Sequence, residues 1–598
     1  ESCLCADPVL AAFQKVAVRQ AIQKIRDNGG CFVSDVVGLG KSYIGAAIIK
    51  HFERTEHARP LIICPKTLED MWEGYNEIYH LNARVLPMSL LKETDETSVN
   101  GLLQDVRYRD RNVVLVDESH NFRHHTTQRY EVLHTFLSTG RKCCFLTATP
   151  RNKSASDIYN QLKLFHQDDK TDLPIDPPDL KRYFKLVDNG ERELQDLLVH
   201  VLIRRTRRHV LRWYGYAEDT HQPLREMSDL ECVQYLNGSK RAYIIVSDKH
   251  HFFPRRELEP LRYSIENTYS GLYQQIRAYL GRPPGEHYRP KPGQEITYAR
   301  YGLYNYVLQG KRNQKPYSDL HRAGVNLRGL IRVLLFKRFE SSVYAFKETI
   351  KRLIRIHQGF LISLDAGIVP AGEDAQQLLY ESDHYEETDL IDRLREMSGR
   401  YSIGDFDEAK LRDHIEADKR LLEHILELVE PVTPEKDAKL QRLLSRMKRK
   451  PLDSGKCLIF TQYADTARYL YDNLNPGGKK RDIDVIYGAD KSKSRMVGRF
   501  APKANPEFRL QKGESEVRIL VSTDVLSEGL NLQDCDKVVN YDLHWNPVKL
   551  IQRIGRIDRI GSENDVVWAF NFLPETELDK GLGIKDVLQR RIQEIHDT

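Results

Sequence analysis

Two short runs hold side chains whose types and spacing suit phosphate chemistry. The first is Cys31-Phe-Val-Ser-Asp35-Val-Val-Gly38-Leu39-Gly40-Lys41-Ser42, which continues into the largely apolar run Tyr43–Ile49. A strand that enters a glycine loop and leaves through a helix offers backbone N–H groups and the positive helix end to an anion. Gly38, Leu39 and Gly40 supply the loop, Lys41 reaches the outer phosphates, and Ser42 can ligate Mg2+. Asp35 stands where the strict pattern has glycine. The second run is Asn112-Val-Val-Leu-Val116-Asp117-Glu118-Ser119-His120, with Asp117 76 residues beyond Lys41. An apolar strand here delivers two carboxylates at its C-terminal end, where α/β sheets place ligands. Asp117 suits Mg2+ and Glu118 suits orienting and polarising a water, the needs of phosphoryl transfer. The two runs together predict ATP and Mg2+ as ligands.

Such side chains need a parallel sheet behind them. Leu61–Cys64, Val113–Val116 and Cys143–Leu146 are short apolar runs ended by polar or turn clusters, the pattern of strands covered on both faces. An amphipathic helix is expected over Phe13–Ile25. From Asp437 the alternation returns, with strands expected at Cys457–Phe460, Asp484–Tyr487, Arg518–Val521, Lys537–Asn540 and Val566–Phe572. The fold class is therefore α/β, with two doubly wound parallel-sheet lobes. Between them, residues 213–430 hold eighteen of the thirty tyrosines, helical patterns such as Leu330–Leu353 and Leu411–Leu428, and an irregular basic stretch from Arg282 to Lys315. The expected domains are 1–212, a mostly helical insertion 213–430, and 431–598.

Composition excludes other classes. The 598 residues are 40% hydrophobic, with 91 Lys and Arg against 86 Asp and Glu and a net charge of +5. Whole-chain disorder would need fewer apolar residues and more imbalance. No run approaches the ~18 apolar residues of a membrane span. A balance this near zero does not announce nucleic acid, so any basic groove must be local. The nine cysteines are odd in number and scattered, which reads as reduced thiols in a reducing compartment. Cys3-x-Cys5 lacks a second pair at zinc spacing. No signal peptide is visible, and the start at Glu1 reads as part of a longer protein.

Two further runs, Leu146-Thr147-Ala-Thr-Pro150 and Gln552-Arg553-Ile-Gly555-Arg556-Ile-Asp-Arg559-Ile-Gly561, give the chain a family likeness. With them the sequence resembles the superfamily-two helicases, and within those the Swi/Snf-type double-stranded DNA translocases. Asp35–Ser42 resembles that family's DE-x-GLGKT, and Asp117–His120 departs from its DEAH at Ser119. Leu202-Ile-Arg204-Arg205-Thr206 resembles its LRRTK segment, and the Thr147-Ala-Thr-Pro and Ile459-Phe-Thr461-Gln462 runs lie about 300 residues apart, a gap that the Swi/Snf group fills with helical insertions. Leu335-Phe-Lys-Arg338-Phe-Glu-Ser341-Ser342 resembles bacterial members related to the RNA-polymerase-recycling ATPase and to phage-defence and restriction helicases.

The resemblance implies two RecA-like lobes that close on ATP. Gln20 is then the expected adenine reader, with Gln14 as rival, and Gly529 and Gln552 join the nucleotide site. Arg556 and Arg559 of the second lobe stabilise charge on the transferring phosphoryl group. Lys66, Thr67, Thr461, Gln462, Ser522 and Thr523 are expected on DNA phosphates, and His120 with Thr147 between the two sites. The expected activity is an ATP-dependent, sequence-independent double-stranded DNA translocase, cytoplasmic and nucleoid-associated in a bacterium. Phage defence is one setting that fits, and protein partners are expected at the insertion. The alternatives are a strand-separating helicase on RNA or single-stranded DNA and a nucleotide-gated scaffold.

Overall fold

A computed structural model describes residues 10–91, 102–125, 127–148, 155–246, 248–264, 271–281, 290–371, 401–488, 493–505, 508–526, 530–544 and 547–574. The first sheet holds β1 (Gly30–Val33), β2 (Pro60–Cys64), β3 (Arg84–Pro87), β4 (Val113–Asp117), β5 (Lys142–Leu146) and β6 (Leu202–Ile203). Their order is β3-β2-β4-β5-β1-β6 and every pairing is parallel. The Val-, Ile- and Leu-rich strands are buried along their length because helices cover both faces. One of those helices, α1 (Ala12–Asn28), is stopped by Gly29 at φ 76, a left-handed position that glycine adopts freely. Another, α2 (Lys41–Glu56), starts at Gly40 with φ 78.

A three-stranded antiparallel sheet follows: β7 (Tyr216–Ala217), β8 (Ala242–Val246) and β9 (Lys249–Phe252). Its inner residues Ala217, Ala242 and Ile244 pack with Phe13 and Leu39, beside the phosphate loop. The next strand, β10 (Arg255–Tyr263), belongs to the other lobe. That second sheet adds β11 (Cys457–Phe460), β12 (Ile483–Ile486), β13 (Ile519–Ser522), β14 (Lys537–Asn540) and β15 (Val566–Pro574). Its order is β10-β15-β14-β11-β13-β12, again all parallel. Pro260 is tolerated in β10 because that strand is the sheet edge.

The domain boundaries expected from sequence therefore change. Residues 213–252 dress the first lobe, and β10 extends the second sheet. The helices Asp319–Ser341, Val343–Asp365, Glu408–Val429 and Ala438–Arg446 share one apolar core with Ile459, Val521, Val539 and Phe570 of the second sheet. The near ends of these helices are thus continuous with the second lobe, while their far ends pack with Leu303, Tyr306 and Phe406 in a core of their own. The single helical pattern expected over Leu330–Leu353 is two helices, broken at Ser342, whose backbone is extended and whose hydroxyl caps the second helix at the Ala345 N–H. Among the described residues the chain passes from the first lobe to the second only at Phe253–Pro254. No helix among them is long and apolar enough to cross a membrane.

Candidate active site

The phosphate loop runs from β1 into α2. Its two glycines are required by space and backbone alike. Gly38 has φ 92, and a Cβ there would lie 2.6 Å from the Asp558 carbonyl oxygen. Gly40 has φ 78, and a Cβ there would lie 2.5 Å from Gln14 Nε2. The Lys41 ammonium donates to the Asp35 carbonyl at 2.8 Å. Burial, its largest influence, lowers its pKa, and Arg556 adds to that, while Glu118, Asp35 and Asp117 oppose it.

Asp35, the departure from the strict loop pattern, is fully buried. Its carboxylate accepts from the Arg205 N–H and Nε, both at 3.0 Å, and pairs with the Arg205 Nη2. Arg205 also lies over the Phe13 ring, 5.0 Å from its centroid. The basic segment after β6 therefore braces the loop from below. Two oppositely charged groups buried together need this geometry, because either one left alone would cost about 3–5 kcal/mol.

Asp117 and Glu118 sit at the end of β4, both buried. Asp117 accepts from Trp72 Nε1 at 3.0 Å and from the Glu118 N–H at 2.9 Å. Burial, then the neighbouring Glu118 charge, raises its pKa. Burial acts upward on Glu118 as well, but the hydrogen bond and charge of His120, with Lys41 and Arg556, hold that carboxyl below the usual range. Glu118 lies 3.2 Å from His120 Nδ1, and the Thr147 hydroxyl lies 3.4 Å from the same nitrogen. Thr147, His120 and Glu118 thus form a line from the end of β5 to the carboxylate. Ser119, the departure from DEAH, donates to Gln161 Oε1 at 3.0 Å.

The second lobe closes over this edge. Arg556 is buried, with Nε donating to the Gln552 carbonyl at 3.2 Å. Arg559 Nη2 donates to the Leu530 carbonyl at 2.7 Å. Burial, then Arg556, pushes Arg559 down to about 10. Gly555 lies against the phosphate loop, since a Cβ there would be 2.1 Å from Val37 Cγ1. Gln552 is 1% exposed, and neither polar atom of its amide has a hydrogen-bond partner. A buried amide in that state costs about 1–3 kcal/mol unless a ligand completes it. The Ser42 hydroxyl, which follows Lys41 in the loop, and the Asp117 carboxylate, which acts electrostatically on Lys41, are hard-oxygen donors of the kind Mg2+ takes.

Several expected site residues are placed differently. Gln20 is exposed on α1. Gln14 is the glutamine on the loop: its Nε2 donates to the Leu39 carbonyl at 2.9 Å, and its Oε1 accepts from the Ala11 N–H at 2.9 Å. Of the expected DNA contacts, Lys66 and Thr67 are exposed, and Gln462 and Thr523 are half-buried. Thr461 and Ser522 are fully buried. The Thr461 hydroxyl donates to Asp542, and that of Ser522 donates to the Thr523 carbonyl at 2.7 Å. Both are spent inside the protein, which removes them from the DNA surface. Gly529 lies outside the described residues.

Asp542 is the centre of a network that single-residue reasoning missed. It accepts from Thr461, from the Gln462 N–H at 3.0 Å, from Ser341 at 2.8 Å and from Lys439 at 3.1 Å. The LFKRFESS segment thereby joins the strand end of β11. Trp72 was also missed, since nothing in its spacing marks it as a partner of the site; Arg205 lies in the segment that resembles LRRTK, but its pairing with Asp35 was not foreseen.

The conserved C-terminal domain of helicases matches residues 435–561. The uncharacterised ATP-dependent helicase YqhH of Bacillus subtilis is 37% identical over 19% of this chain and 18% of its own length. The RNA polymerase-associated protein RapA of Vibrio cholerae is 33% identical over 23% of this chain and 13% of its own. Transcription termination factor 2 of Drosophila melanogaster is 22% identical over 86% of this chain and 46% of its own. The chain spans less than half the length of these curated relatives.

Proposed function

We propose that this chain is a superfamily-two helicase of the Swi/Snf type, in the bacterial branch to which its matches point, and that it hydrolyses ATP between its lobes to move along double-stranded DNA. The observation that carries the reading is the meeting of the two half-sites. Lys41, Asp117 and Glu118 of one sheet and Arg556 of the other are close enough to act electrostatically on each other. Neither lobe holds both the phosphate loop and the arginines, so turnover requires closure, and differential affinity for the closed form is what couples chemistry to motion.

Each residue then has a definite task. The loop N–H groups and Lys41 bind the phosphates. Ser42 and Asp117 would hold Mg2+, which would neutralise phosphate charge. Glu118, kept ionised by His120, orients the water and takes its proton. Arg556 and Arg559 stabilise the charge that develops on the transferring group. Gln14 positions the loop, and Gln552 completes its hydrogen bonds on the nucleotide.

Lys66, Thr67, Gln462 and Thr523 remain the candidates for DNA phosphates. Contacts of that type carry no base information, so binding should be sequence-independent and weaken steeply with salt. The helical layer of the second lobe is the surface we assign to protein partners, by analogy with the polymerase-associated relative. Steady-state ATP turnover with duplex DNA, single-stranded DNA and RNA tests the reading. Stimulation by duplex DNA is expected, and stimulation by RNA alone would overturn it.

A further inference from the structure

We infer that Asp558, gripped by Arg207 and Arg256, is the clasp that holds the two lobes in register at the Phe253–Pro254 crossing, the only one among the described residues, and that these three are positioning residues for the arginine segment. The inference rests on the ATPase reading above. The chain leaves β9 on the first lobe and enters β10 of the second through Phe253–Pro254. Arg207 follows β6 in the first lobe, and it fastens this crossing: its Nη2 donates to the Pro254 carbonyl at 2.6 Å and its guanidinium lies over the Phe253 ring, 4.7 Å from the centroid.

The same Arg207 reaches Asp558, with Nη1 3.5 Å from Oδ1. Arg256 of β10 pairs with the other oxygen, Oδ2. Asp558 is 4% exposed, so its carboxylate is buried between two guanidinium groups, one from each lobe. It lies between Arg556 and Arg559 in sequence, and its carbonyl touches the phosphate loop at Gly38. The next glycine, Gly561, lies against His251 of β9: a Cβ there would be 2.8 Å from the His251 Nδ1.

This placement has a mechanical consequence. The pivot of lobe opening lies beside the arginines rather than at the far end of the cleft. Rotation about Pro254 then moves the remote ends of the lobes most and the arginine segment least. Arg556 and Arg559 then travel less than the remote ends of the lobes at each closure, and their final approach depends on the clasp. A buried carboxylate with two charged partners is also costly to leave half-paired, which favours one register over slipped ones.

The test uses the full chain carrying one dye at Ser138 and one at Lys479, which are exposed on different lobes. Energy transfer is read without nucleotide, and ATP turnover is read beside it. Asp558→Asn and Arg207→Ala should each lower the transfer efficiency and reduce kcat at least tenfold, with KM for ATP within threefold. Arg207→Lys keeps the charge but not the fork or the ring contact, so it should recover only part of both. The double variant Arg207→Ala with Asp558→Asn should lose less than the sum of the two single losses, because the Arg207–Asp558 contact is shared while the contacts of Arg207 with Pro254 and of Asp558 with Arg256 are not. Arg241→Ala, which removes an exposed pair with Asp565, should change neither. Unchanged energy transfer in both Asp558→Asn and Arg207→Ala, at unchanged melting temperature, would overturn the clasp. Losses that add in the double variant would overturn it too. Lower transfer in Asp558→Asn together with no ATP turnover by the wild-type protein would sink the ATPase reading and leave the clasp standing.

Discussion

Gly555→Ala should block lobe closure, and the structure sets the size of the effect. The added Cβ would stand 2.1 Å from Val37 Cγ1, 2.7 Å from Val37 Cβ and 3.1 Å from the Ile551 carbonyl oxygen. Carbon atoms in contact rest about 3.5–4.0 Å apart, so the second lobe must retreat by about 1.5 Å or Val37 must move. Gly555 does not have a positive φ, so alanine is free of backbone strain and the contact alone acts. Overpacking of this kind costs about 1–3 kcal/mol. At about 1.4 kcal/mol per factor of ten, that predicts a loss of roughly 5- to 150-fold in kcat. The assay is steady-state ATP turnover with saturating duplex DNA. Val37→Ala removes Cγ1 but leaves Cβ, so it should restore part of the activity when added to Gly555→Ala. Wild-type turnover in Gly555→Ala, or no recovery with Val37→Ala, would refute the closed contact between loop and arginine segment.

Other outcomes follow from single contacts. Glu118→Gln keeps the shape of the site and removes the base, so turnover should fall about 10²- to 10⁴-fold while a filter-binding assay still finds ATP retained. Gln14→Ala should raise KM for ATP several-fold, because it frees the Leu39 carbonyl from a bond worth about 1 kcal/mol; Gln20→Ala, altering an exposed residue, should leave KM unchanged. Asp542→Ala strips its partners Thr461, Ser341 and Lys439 and should cost about 3–5 kcal/mol in chemical denaturation. His357 is buried, with Nδ1 2.7 Å from the Leu353 carbonyl, and burial pushes it down to about 4. Its folded pKa lies below the unfolded value of about 6.5, so its contribution is fully present above that pH and is lost as pH falls toward 4. The loss is at most about 3 kcal/mol. His357→Leu should flatten that part of the stability profile measured by urea unfolding between pH 7 and 4.5.

The apolar strands were legible because each is a short run buried on both faces, as Val113–Asp117 shows. The loop, the carboxylate pair and the arginine run were legible because chemistry constrains their spacing. What escaped depends on distant pairing or on rotation about an axis. Arg255–Tyr263 alternates charged and apolar residues and contains Pro260, so nothing in it announces a parallel partner at Val566–Pro574. Gln14 and Gln20 share one helix, and only the packing of Phe13 and Ala17 into their cores fixes which of them faces the loop. Thr461 and Ser522 sit at strand ends, where a hydroxyl can face solvent or turn inward. Here Asp542 draws the Thr461 hydroxyl inward. The ion pair of Asp35 with Arg205 joins residues far apart in sequence, and spacing cannot reveal such a partner.

The most direct test of the central claim is displacement of a third strand from a DNA triplex by the full chain with ATP and Mg2+. ATP-driven movement along duplex DNA predicts that the wild-type protein releases the third strand and that Glu118→Gln does not. Rapid ATP turnover on the same duplex with the third strand left in place would contradict it.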